Sequence, residues 1–138
     1  MKSTMGVCLV VLSITCTVLA QQDSSRPVLR SGKSVKMAVS NQATEMRMAD
    51  DENATVVTVT EEGNLFVGMQ PVQSSGLGEL KAETVYVKAD ARVPYQKILT
   101  VLDSLRGHSV VLLTASPSNP ERTDLVPPYG VKVILNGQ

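Results

Sequence analysis

Residues 84–115, TVYVKADARVPYQKILTVLDSLRGHSVVLLTA, constrain this chain more than any other stretch, because their pattern changes period twice. The first six residues alternate and are rich in β-branched and aromatic side chains, which suits a strand. Asp90 breaks the alternation. Pro94 then opens a helical pattern, since a proline in the first turn loses no hydrogen bond and presets φ. Tyr95, Ile98, Leu99, Leu102 and Leu105 fall on one helical face, with Gln96, Lys97, Asp103 and Arg106 off it. Gly107 stands where helices end in a left-handed residue. An apolar run at 110–113 reads as a buried strand. A strand–helix–strand unit of this kind buries one helix face on a sheet, and the remaining chain must complete that sheet.

Other strands are visible on both sides. VVTVT at 56–60 is a strand by composition, and Glu61-Glu62-Gly63-Asn64 supplies a turn in which φ > 0 is tolerated. LFVGM at 65–69 returns as the second arm of a hairpin. Residues 70–78 read as loop, and GELKAE at 78–83 offers a turn or two of helix. Residues 116–130 hold four of the chain's seven prolines and read as an irregular connection before a final strand, VKVIL, at 131–135. The expected class is α+β: a single mixed sheet of about five strands, with one main helix and a shortened second helix packed on one face.

The amino-terminal third is organised differently. Lys2 precedes an uncharged, mostly apolar run from Met5 to Ala20, followed by polar QQDSS. Residues 1–20 therefore read as a secretory signal peptide cleaved after Ala20, or as a membrane anchor. The run is short for a span, which needs about 20 apolar residues, and Ser13, Thr15 and Thr17 weaken it. Either reading places the rest outside the cytoplasm. Residues 21–54 read as an extended linker. Within it Val35, Met37 and Val39 alternate with Lys36 and Ala38, as a short strand at 35–39 would, and residues 41–54 read as loop. Residues 55–138 form the folded domain.

Composition removes several functions. Thirteen basic and thirteen acidic residues cancel, and no basic stripe with interleaved aromatics suggests nucleic acid. Both cysteines, Cys8 and Cys16, precede the linker, so the domain has no disulfide framework, thiol nucleophile or cysteine metal site. His108 is the sole histidine and reads as a solvated or helix-end residue. No phosphate loop, nucleophile elbow or metal spacing is present. Asp90, between strand and helix, reads as a cap for helix N–H groups. The expectation is a protein that is not an enzyme and carries no cofactor.

VYVKADARVPYQKILTVLDSLR resembles the signature segment of the ExbD/TolR family of small cell-envelope proteins. The matching residues are Lys88-Ala89-Asp90 and Val93-Pro94-Tyr95, followed by Val101, Leu102 and Asp103. The hairpin VVTVT…EEGNLFVG is similar to that family's first hairpin. SVKMAVSNQA resembles its membrane-proximal segment, with Ser40 where proline is usual. The resemblance covers residues 34–115. It implies a periplasmic domain at the inner membrane that forms a homodimer. It implies partners of three kinds: an ExbB/TolQ-type membrane protein, a TonB/TolA-like protein, or peptidoglycan. Val35, Met37 and Val39 are then candidates for partner binding, by adding a strand to a sheet edge. The family's membrane helix carries an aspartate tied to proton use. Residues 5–20 contain no Asp or Glu. The alternative is therefore a soluble periplasmic adaptor or structural module without proton coupling.

Overall fold

The computed structural model describes residues 32–118 and 128–135. The leader, the first part of the linker and most of the proline-rich connection lie outside the described residues. The fold is α+β, and one mixed sheet carries it. Its strands are β1 (Thr44–Glu45), β2 (Thr55–Val59), β3 (Leu65–Val67), β4 (Gln70–Val72), β5 (Thr84–Ala89), β6 (Ser109–Thr114) and β7 (Tyr129–Val133). They lie in the order β1-β7-β6-β5-β2-β3-β4. The helix α1 (Tyr95–Ser104) connects β5 to β6, and short 3-10 segments occupy Arg47–Asp50 and Ser74–Glu79.

The centre of the sheet is parallel and its flanks are antiparallel. β2, β5 and β6 run the same way, with Val57 opposite Val87 and Val87 opposite Leu112. β3 folds back on β2, β4 on β3, and β7 on β6. Parallel neighbours need a crossover, and α1 provides one by covering the sheet. Val57, Val59, Val85, Val87 and Val110 point to the helix side and pack with Val101, Leu105 and Leu77. This aliphatic cluster is the main core.

Four expectations are corrected. The sheet has seven strands, not about five: β1 lies in the expected loop at 41–54 and β4 in the expected loop at 70–78. The short second helix is 3-10 and falls at Ser74–Glu79, reaching only the first two residues of GELKAE, with Leu77 buried. The sheet is covered on both faces. Opposite the helix, Tyr86, Val111 and Leu113 pack with Ala49, and Met37 and Met46 lie over them. The helix is also rolled relative to the expected face. Val101 and Leu105 are buried and Ile98 and Leu102 are half-buried, whereas Tyr95 is 74% exposed and Leu99 40% exposed. The apolar stripe on α1 is wider than the strip of sheet beneath it, so one margin stays outside.

Candidate functional site

The signature residues gather where the parallel strands end. β2 stops at Val59, whose carbonyl accepts the Asp90 N–H at 2.9 Å. The chain then turns, with the Val93 N–H donating to the Asp90 carbonyl at 3.1 Å. The Asp90 carboxylate is 4% exposed, and both its oxygens are used. Oδ1 accepts from the Arg92 backbone N–H (3.0 Å) and from Arg92 Nε (2.9 Å). Oδ2 accepts from Arg92 Nη2 (3.0 Å) and from the Lys36 backbone N–H (3.1 Å). The Arg92 side chain, then the backbone N–H groups of Arg92 and Lys36, hold the Asp90 carboxyl well below the usual carboxylate range, against the cost of its burial. Arg92 is in turn held more basic by Asp90. Its Nη1 reaches Glu61 Oε2 at 2.7 Å and ties the site to the β2–β3 turn.

Asp90 is therefore not the helix cap expected from its position. Pro94 occupies the N-cap of α1, and no side chain caps that end. Asp90 instead makes a local turn with Arg92 and fastens a distant segment. That segment, residues 33–39, overlaps the stretch at 34–43 that carries the membrane-proximal resemblance. It runs through the gap beyond the point where β5 and β6 stop pairing. The Ala91 N–H donates to the Lys36 carbonyl (2.7 Å) on one side, and the Ala115 N–H donates to the Ala38 carbonyl (2.8 Å) on the other. Val39 forms an isolated parallel bridge with Ala115. Lys88 Nζ donates to the Lys33 carbonyl at 3.3 Å, and burial pulls its basicity down. Lys33 Nζ sits 5.1 Å from the centre of the Phe66 ring.

This placement separates the three candidate partner-binding residues. Val35 is buried and Met37 packs against the Tyr86 cluster, so both contact their own domain. Val39 is 51% exposed. Pro94 and Tyr95 are exposed at the start of α1, and Leu102 is half-buried. His108 is half-buried at the far end of α1, where its Nδ1 lies 2.7 Å from the Ala82 carbonyl and must carry the proton that is donated. It joins no group of metal-ligand type among the described residues. No helix among the described residues is long and apolar enough to cross a membrane. Arg92 and Glu61 escaped sequence reasoning. The Asp-x-Arg spacing at 90–92 was the available signal for the first.

The two sheet edges differ in what they offer another strand. At one end, the Thr60 N–H donates to the Asn64 carbonyl, so alternation directs the backbone of Phe66 toward β2 and those of Leu65 and Val67 toward β4. Val72 and Gln70 answer them, which leaves Pro71 facing outward without an N–H. At the other end, β1 pairs only with Tyr129 and Gly130. The Met46 N–H donates to the Pro128 carbonyl, so the same alternation directs the backbones of Gly130, Lys132 and Ile134 away from β6. Beyond Gly130, no strand among the described residues covers that edge. Ile134 beside it is 84% exposed.

No family model matches the chain, and no curated protein matches it significantly.

Proposed function

We propose that this chain is an ExbD/TolR-like cell-envelope component of a biopolymer transport or envelope-maintenance system. It acts by self-association and by binding an ExbB/TolQ-type membrane complex. The reading rests first on the signature resemblance at 85–106, and on the jobs its residues have. Lys88 and Asp90 hold the membrane-proximal segment on the ends of the parallel strands. Pro94 and Tyr95 stand exposed beside them. The observation that carries the mode of action is the contrast between the two sheet edges. One edge is blunted by Pro71, and at the other the backbone of Lys132 faces outward with no strand among the described residues beside it. A sheet with one usable edge pairs with one copy of itself and stops, giving a closed dimer rather than a filament.

The experiment is to fractionate native cells and to capture the chain with its neighbours after cross-linking. Recovery with the inner membrane, together with an ExbB/TolQ-type protein, supports the reading. Recovery only in the soluble periplasm, with sequencing that begins at Gln21, favours the adaptor reading instead. That second reading has one observation behind it: residues 5–20 lack the acid that proton coupling needs in a membrane. Neither reading assigns catalysis, a cofactor or nucleic-acid binding to the domain.

A further inference from the structure

A cleft of about 320 Å³ opens on the helix side of the sheet. Three elements build it: the β2–β3 turn gives Gly63 and Asn64, the chain after β4 gives Gln73 and Ser74, and α1 gives Lys97 and Thr100. Leu65, Val72 and Val101 form its apolar floor. Its size lies at the lower end of the range for small-ligand sites, about 300–1,000 Å³.

Its polar lining combines one cation with neutral amides and hydroxyls. Among the described residues, Lys97 makes no ion pair or side-chain hydrogen bond, nor do the side chains of Asn64, Gln73 and Ser74. Thr100 spends its proton on the Gln96 carbonyl at 3.0 Å. No carboxylate among the described residues lines the cleft; of the two in the adjoining turn, Glu61 is engaged by Arg92 at 2.7 Å and Glu62 is exposed to solvent. Lys97 is also steered. Its stem lies along Gly63, where a Cβ would stand 2.8 Å from Lys97 Cε and 3.3 Å from Cγ. The absence of a side chain at Gly63 therefore lets the lysine lie across the turn. An ammonium, two amides and a hydroxyl above an apolar floor complement a ligand with a carboxylate, hydrogen-bonding groups beside it and a small apolar side chain.

We propose that this cleft binds short peptides through a free C-terminal carboxylate, with Lys97 as the anion-recognising residue. The site is independent of the self-association and membrane-partner reading.

The probe is N-acetyl-alanyl-alanine, titrated into the purified isotope-labelled chain and followed by two-dimensional NMR. The expected result is saturable shifts of the Asn64 and Gln73 side-chain amides and of the Ser74 backbone signal, with Kd of about 1 mM. The same peptide with an amidated C-terminus shifts none of them. Lys97→Gln weakens binding at least about tenfold, Lys97→Arg retains it, and Lys81→Gln, at an exposed position outside the cleft, binds as the parent does. Equal binding of acid and amide peptides, or unchanged binding by Lys97→Gln, overturns the proposal.

Discussion

Asp90 shows how one side chain can be read correctly in kind and wrongly in partner. Its chemistry, a short acceptor at the end of a strand, was legible in the sequence. The N–H of Arg92, two residues away, is the local partner that such chemistry predicts. The N–H of Lys36 lies 54 residues away in the chain, and no local pattern announces it. Asp90→Ala removes the acceptor for four donors, two of them on a guanidinium that is half in solvent. The expected loss is about 2–3 kcal/mol in urea unfolding at neutral pH, the scale of hydrogen bonds to a buried charge. The pH dependence has a definite sign. The folded state holds this carboxyl below its unfolded value, so its contribution is complete above that value, about 3.9. It is lost as pH falls from there toward the folded value. The gap between parent and Asp90→Ala should thus be constant from pH 5 to 7 and shrink below about pH 4. A gap that stays constant down to pH 2 would show that the carboxylate charge is not what stabilises the site.

At the scale of elements, the long units were legible and the short ones were not. β2, β5, β6 and α1 each carry enough residues to display a period. β1 has two residues and β4 has three, one of them proline, so neither displays one. They exist because a neighbouring strand offers hydrogen bonds, which is a tertiary cause. The roll of α1 has a similar origin: periodicity found the apolar stripe, and the width of the sheet selected which part of it is covered. Leu105→Ala should therefore cost about 2–5 kcal/mol, and Leu99→Ala less than about 1 kcal/mol. Equal losses in chemical denaturation would refute the face observed here. Gly130 tests the packing of β7 in the opposite direction. A Cβ there would meet Val111 Cγ1 at 2.9 Å, the Leu112 carbonyl at 3.0 Å and Met46 Cγ at 3.1 Å. Gly130→Ala should cost about 1–3 kcal/mol through overpacking. A neutral result would mean that Val111, Leu112 and Met46 do not crowd Gly130 as closely as these distances require.

At the scale of the whole molecule, the decisive property is how the sheet ends. A thin domain of this size gains stability by extending its sheet with a second copy, yet two open edges would let it polymerise. Pro71 closes one edge by supplying no N–H at the outward position of β4, while at the other edge the outward backbone of Lys132 has no strand beside it among the described residues. The sequence displayed both residues, but only the register of each strand shows which way its backbone faces. Two substitutions invert the arrangement. Under the proposed edge pairing, Lys132→Pro, which removes an outward donor from β7 without touching its bonds to β6, should give a monomer in light scattering where the parent gives a dimer. Pro71→Thr restores an outward donor on β4 and should produce species larger than a dimer, growing with concentration. The pair of results matters more than either alone. Loss of the dimer in Lys132→Pro could follow from a damaged strand, so its thermal unfolding must remain cooperative. Growth in Pro71→Thr must likewise come with cooperative unfolding, which separates pairing of a new edge from aggregation of a damaged strand. If Pro71→Thr stays the size of the parent, sheet-edge pairing is not how copies of this chain meet.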